Sequence, residues 1–187
     1  MENIESILLK FKSYNGFNLN IGSGYYIQDG YIGIDNGDGF RQQIPENGRS
    51  PDIFMDLSKE KWPFDDKSCN EVYSSHSFEH FSDINFILNE AYRVLKSNRL
   101  FKIIVPYANS AEGMYPDHNI FFTEKWFQNN LIVNKLFDIV HIDYTPTNEY
   151  KNIPENEPIK KIFPFNLARQ FLFNACNQME IHLKKKI

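Results

Sequence analysis

The sequence predicts an α/β domain on an open, mostly parallel sheet of about seven strands, with an antiparallel edge strand and helices on both faces. Three observations carry this expectation. Short apolar runs alternate with amphipathic stretches along the chain, the pattern of strand–helix repeats. Most of those runs stop at Gly, Asp or Ser. One run, Leu100–Val105, is nearly all apolar and closes on Pro106, as a strand buried on both faces should.

The elements follow in order. Ile4, Ile7, Leu8 and Phe11 recur at i, i+3, i+4 and i+7, which predicts a short amphipathic helix within residues 1–14, ended by Asn15-Gly16. Leu19 and Ile21 form a buried strand that runs into the turn Gly22-Ser23-Gly24. Tyr31–Ile34 is a second strand ending at Asp35, before a loop over Asn36–Gly39. Asp52–Met55 is a third, stopping at Asp56, and Val72–Ser74 a fourth.

Asp83 is placed to cap a helix whose stripe is Ile84, Ile87, Leu88, Ala91, Val94 and Leu95, stopping at Lys96-Ser97-Asn98 with Asn98 left-handed. After Leu100–Val105, Thr123 caps a helix to Leu131, and Phe137–Tyr144 is a sixth strand. Tyr144–Pro164 holds four prolines and reads as a surface loop or lid. Phe165–Phe173 is a helix, and Met179–Leu183 alternates like a one-sided edge strand.

Composition narrows the function. At 187 residues and 42% hydrophobic, the chain makes a single domain (residues 1–187) with a full core. Cys69 and Cys176 have neither disulfide-framework nor metal-ligand spacing, which favours a reducing, cytoplasmic setting. No apolar run suits a signal peptide or a membrane span, so no membrane partner is expected. A net charge of −4 is the wrong sign for binding nucleic acid. The basic run Lys184–Lys186 reads as a solubilising tail.

Ligands of open α/β sheets bind outside the carboxyl ends of the strands, and there the chain concentrates its chemistry. Gly22-Ser23-Gly24 follows the first strand, Asp35 the second, Asp56 the third and Ser75-His76 the fourth. The glycines let backbone amides approach a ligand. Asp35 can accept both hydroxyls of a ribose, Asp56 can accept an exocyclic amine, and Leu57 offers an N–H and an apolar face. Each feature alone is as well explained by a turn or a helix cap; their order along one chain joins them.

In that order the sequence resembles the class I S-adenosylmethionine-dependent methyltransferases of compact, small-molecule type. The residues that carry the likeness are Leu19–Gly24, Tyr31–Asp35, Asp52–Leu57 with Trp62–Ser68, Tyr73–Phe81, Glu90–Lys96 before Leu100–Pro106, and Asp117-His118 with Phe121–Thr123. The resemblance implies a Rossmann-like fold, S-adenosylmethionine as cofactor, and a small-molecule or sugar-type acceptor methylated at oxygen.

It also implies the contacts. Asn20, Gly22, Ser23 and Gly24 would face the methionine part, Asp35 and Asn36 the ribose, Asp56 and Leu57 the adenine, with Ser75 and His76 beneath the sulfonium. Asn20 stands where the family usually has an acidic residue, and Tyr26 where a third glycine is frequent. His118 and His76 are the candidate bases for a hydroxyl acceptor. Tyr107, Tyr115 and Phe122 are candidate pocket walls, or simple packing.

Other classes compete. A scaffold on a degenerate methyltransferase fold would keep the motifs and lose the cofactor. His76-Ser77-Phe78-Glu79-His80 spells the His-x-x-Glu-His pattern of a zinc hydrolase, but that chemistry needs a helix, and Val72–Ser74 leads into His76 as a strand. Gly22-x-Gly24 does not complete the dinucleotide fingerprint of a dehydrogenase, because Ile27 takes the third position. The site therefore contains no expected metal.

Overall fold

The computed structural model describes residues 4–11, 16–38 and 44–187. Asn15, Gly39 and both ends of the 1–14 segment lie outside them.

Seven strands form one sheet: β1 (Phe17–Ile21), β2 (Tyr31–Asp35), β3 (Ile53–Phe54), β4 (Cys69–Ser75), β5 (Leu95–Pro106), β6 (Phe137–Pro146) and β7 (Cys176–Lys185). Their order is β3-β2-β1-β4-β5-β7-β6. Strands β1 to β5 pair in parallel; β7 runs antiparallel between β5 and β6, so Met179–Leu183 is paired on both sides and β6, not β7, is the antiparallel edge. The chain lays β2 and β3 on one side of β1 and β4 and β5 on the other. This reversal opens a crevice at the carboxyl ends of β1 and β4.

The core explains the order. Leu19, Ile21, Ile32, Ile34, Val72, Phe101, Ile103 and Val105 are buried, as central parallel strands covered on both faces require. In β7, Met179, Ile181 and Leu183 are buried and the residues between them are half-exposed. Helix α1 (Ile4–Phe11) lies against β2, and α2 (Ile84–Val94) against β5. The Asp83 carboxylate caps α2 by accepting from the Phe86 N–H at 2.9 Å.

Four local expectations are revised. Helix α2 ends at Val94, because fully buried Leu95 pairs with Cys69 as the first residue of β5. Asn98 is left-handed (φ 63°) as expected, but inside β5, where the register shifts between the Cys69–Leu95 and Glu71–Leu100 pairs. The Thr123 side chain makes no cap bond; the stretch divides into α3 (Glu124–Asn129) and α4 (Leu131–Leu136). Asn130 caps α4, its Oδ1 accepting from the Ile132 and Val133 N–H groups.

The third revision concerns Tyr144–Pro164. It finishes β6 and then carries α5 (Asn148–Lys151), capped by Thr147, and α6 (Pro158–Ile162) before α7 (Phe165–Phe171). Tyr150, Ala168 and Ala175 give these short helices a small apolar cluster of their own. Fourth, Lys185 is not part of a solubilising tail. Its ammonium is buried and donates to the Tyr92 and Leu95 carbonyls, each at 2.6 Å, over the Tyr92 ring. A cation there satisfies carbonyls left open by the end of α2.

Candidate functional site

A cleft of about 730 Å³ opens at the carboxyl ends of β1 to β4. Gly22, Gly24, Asp35, Asn36, Asp56, Leu57 and His76 all line it. Had Gly22, Asp35 and Asp56 lain apart, the expectation of a shared site would have failed. They share one wall.

The turn after β1 explains why glycines stand there. Gly22 is left-handed (φ 57°), and a Cβ on it would sit 2.4 Å from the Ser77 Cβ. The ends of β1 and β4 therefore meet through a contact only a hydrogen can fit. Ser77 is tied in place, its Oγ 2.6 Å from the Ser74 Oγ and donating to the Ile21 carbonyl. Gly24 is also left-handed (φ 51°), but a Cβ there would meet nothing within 4 Å. That turn leaves open space for a ligand.

Asp35 organises the neighbouring loops. Its Oδ2 accepts from the Gly24 N–H at 2.9 Å and its Oδ1 from the Gly37 N–H at 2.8 Å. A carboxylate has about four lone-pair sites, so about two remain for a diol. Asp56 accepts from the Ser58 N–H at 3.0 Å and from the Lys59 ammonium at 2.7 Å. The Lys59 hydrogen bond holds its carboxyl below the usual carboxylate range.

The loop over this side is fixed by Arg93. Its guanidinium grips both Glu90 oxygens (2.8 and 2.7 Å) and donates to the Trp62 and Phe64 carbonyls and to Asp66. Buried Trp62 in turn donates its ring N–H to the Leu57 carbonyl at 3.2 Å. The Trp62–Ser68 motif thus acts as a brace behind Leu57.

Three of the residues expected to hold the cofactor do not line the cleft. Asn20 is buried, its Oδ1 accepting from the Gln28 N–H at 3.1 Å. Ser23 is buried in the turn, with its N–H on the Ile34 carbonyl. Ser75, the last residue of β4, is also absent from the lining. These three shape the cleft from behind.

The two histidines differ. His76 has a left-handed backbone (φ 49°), a strained conformation for a residue with a side chain. Its Nε2 lies 2.9 Å from the Gln178 Oε1, an acceptor, so Nε2 carries the proton. In the neutral ring its Nδ1 keeps the lone pair, 3.4 Å from the Glu112 carboxylate and 3.9 Å from the Glu79 Oε1. The His118 side chain is 5% exposed and is not among the lining residues; its Nε2 is 4.0 Å from Glu79.

Of the aromatic candidates, Tyr107 and Phe122 are buried. The Tyr107 hydroxyl sits between Glu124 and Arg169, and burial pushes it up to about 12. Tyr115 is exposed, its ring against His118. Burial pushes both cysteine thiols up to about 12, so neither is a nucleophile at neutral pH.

Tyr25, Tyr26, Ser77, His80, Phe81 and Asp117 also line the cleft, and the sequence reasoning gave them no site role. His80 and Asp117 stood inside quoted motifs. Ser77 and Phe81 stood inside one too, but nothing local pairs Ser77 with Gly22, 55 residues away as their numbers give (77 − 22).

Residues 19–102 match the family model of a methyltransferase domain. No curated protein matches the sequence. Among solved structures, an S-adenosylmethionine-dependent methyltransferase from Archaeoglobus fulgidus superposes with a TM-score of 0.65 at 16% identity, over 97% of this chain and 93% of that one. A methyltransferase from Thermotoga maritima described as a possible histamine N-methyltransferase gives 0.58 at 16% identity, over 97% and 88%. The methyltransferase of a Haloferax volcanii complex with the Trm112 activator gives 0.56 at 16% identity, over 92% and 84%.

Fold and matched segment agree: residues 19–102 match a methyltransferase domain, and the chain has the Rossmann-like fold of the class I methyltransferases. The methyl donor of this class is S-adenosylmethionine. No helix among the described residues is long and apolar enough to cross a membrane.

Proposed function

We propose that the single domain of residues 1–187 methylates an oxygen of a small, sugar-type acceptor, in a cytoplasmic setting and without a nucleic-acid or membrane partner. One observation carries this reading: four successive strand ends deliver Gly22, Asp35, Asp56 and His76 to one cleft. Its volume falls within the ~300–1,000 Å³ of small-molecule sites.

The residues present fit the cofactor. The open space beside Gly24 suits its methionine part, the remaining Asp35 lone pairs its ribose diol, and Asp56 with Leu57 its adenine. When bound, S-adenosylmethionine supplies a methyl carbon already activated by its sulfonium. The chain's part is to hold the acceptor in line and keep water out. For a hydroxyl acceptor, His76 Nδ1 takes the proton, and Glu112 steadies the imidazolium that results. His118, with its Nε2 toward buried Glu79, is turned to other work.

Asp56 favours a second reading, a scaffold that has lost the cofactor, because its carboxylate is already engaged by Ser58 and Lys59. Calorimetry with S-adenosylhomocysteine separates the two. The enzyme binds it, and Asp35→Ala weakens binding by about 10–100-fold, the worth of hydrogen bonds to a charged group. His76→Ala keeps the heat and loses turnover on hydroxyl acceptors. Absence of heat from the unsubstituted protein overturns the enzyme reading.

A further inference from the structure

Behind the cleft, three side chains that the methyl-transfer reading leaves unused converge. Glu79 is almost completely buried in the single 3₁₀ turn Phe78–His80. Its Oε2 is buried with no hydrogen-bond partner. Its Oε1 lies 4.0 Å from His80 Nε2 and 4.0 Å from His118 Nε2. No direct hydrogen bond forms at that distance. A buried carboxylate oxygen that lacks a donor is costly unless a cation pairs with it.

The tautomers of both rings follow from their other contacts. His80 Nδ1 is 3.2 Å from the Asp117 carbonyl, and His118 Nδ1 is 3.1 Å from the Gly113 carbonyl. A carbonyl oxygen only accepts, so each Nδ1 carries a proton, and in the neutral ring each Nε2 keeps its lone pair. In that state three atoms able to ligate a cation face one another. A histidine that donates its far N–H to a backbone carbonyl is also the usual arrangement behind a metal-binding imidazole.

The spacing suits an ion. The three ligand atoms lie within 4.8 Å of one another. Given two sides of 4.0 Å, a point equidistant from all three is at most about 2.5 Å from each, against ~2.0–2.2 Å for zinc bonds to nitrogen and oxygen. A shift of a few tenths of an ångström closes the set. The backbone is already held for it: the Asn119 N–H donates to the Glu79 carbonyl at 2.8 Å, and its side chain donates to the His80 carbonyl at 2.9 Å. These bonds clamp the His118 loop onto the Glu79-His80 turn.

We propose that Glu79, His80 and His118 form a binding site for a divalent transition-metal ion of the zinc type. Two imidazole nitrogens and one carboxylate oxygen are a borderline-soft set suited to zinc or cobalt over magnesium or calcium. Only three protein ligands are supplied, so a coordination position stays open. His80 and Asp117 line the cleft, which puts that position within reach of a small oxygen ligand there. The ligand set differs from the sequence pattern His76-x-x-Glu79-His80: His76 Nδ1 also lies 3.9 Å from the Glu79 Oε1, but its Nε2 is held by Gln178 and its Nδ1 is nearer Glu112, at 3.4 Å, whereas only Glu79, His80 and His118 bring their ligand atoms within 4.8 Å of one another.

The test uses the full chain, stripped with a chelator and dialysed. Titration with Co²⁺ should give one equivalent with the visible absorption of a low-coordinate nitrogen–oxygen site, displaced by Zn²⁺. His80→Ala removes a half-exposed ligand and should weaken binding at least 10-fold, as should Glu79→Gln. His182→Ala, at the separate His141–His182 contact on β6 and β7, should leave it unchanged. Circular dichroism of each variant checks that it folds. A folded unsubstituted chain that takes up no Co²⁺ or Zn²⁺, or binding that His80→Ala leaves intact, overturns the proposal. Neither result depends on the cofactor titration above.

Discussion

Replacing Gly22 with alanine tests whether the meeting of β1 and β4 builds the site. The new Cβ would lie 2.4 Å from the Ser77 Cβ, 2.5 Å from its Oγ and 3.1 Å from the Phe81 ring. Left-handed backbone costs a residue with a side chain about 1–2 kcal/mol. Overpacking a fixed contact adds about 1–3 kcal/mol, and Ser77 is fixed by its bonds to Ser74 and Ile21. The sum, about 2–5 kcal/mol, corresponds to a melting temperature lower by roughly 4–20 °C for a chain this long.

Gly24→Ala is the control. It shares the left-handed backbone but meets nothing within 4 Å, so only the strain of about 1–2 kcal/mol applies. Thermal unfolding followed by circular dichroism should therefore rank Gly22→Ala well below Gly24→Ala. Adding Ser77→Gly removes the two closest atoms and should restore part of the deficit, a positive coupling in a double-mutant cycle. Equal losses from the two alanines, or no coupling to position 77, would refute the account of this contact.

Two further outcomes are expected. Arg93→Lys replaces a fork whose donors hold Glu90, Asp66 and the Trp62 and Phe64 carbonyls, and should cost about 2–3 kcal/mol in urea unfolding because an ammonium cannot make the bidentate pair; a midpoint unchanged from the parent would contradict the brace. For pH, burial pushes the Glu90 and Glu124 carboxyls up, but hydrogen bonds from Arg93 and Arg169 outweigh it and bring both below 4.5. A depressed folded-state pKa contributes stability above the unfolded value, lost as pH falls through the folded one. Urea midpoints should thus decline from 4.5 downward, and Glu90→Gln with Glu124→Gln should flatten that decline.

The strand ends were legible in the sequence for a local reason. Gly22, Asp35, Asp56 and His76 each follow a strand predicted from the sequence within one or two residues, and a parallel sheet sends all such ends to one rim. Helix α2 was legible too, since its stripe and its Asp83 cap are consecutive in the chain. Where long-range pairing competes with local preference, the sequence was silent. Leu95 looks like the last residue of a helix until Cys69 claims it for the sheet. Lys185 looks like a tail until the end of α2, some 90 residues earlier, presents its carbonyls.

The functional side chains divide the same way. Residue type and order alone determined that a glycine turn and two carboxylates would share a cleft, because strand direction carries them there. Only the tertiary structure decided what each histidine faces. His76 is held by Gln178 and sits nearer Glu112 than Glu79, whereas His80 and His118 are held by backbone carbonyls with their Nε2 atoms toward Glu79. A side chain's orientation is set by partners that are distant in sequence and adjacent in space, and the hydrogen bonds that fix a tautomer exist only once those partners meet.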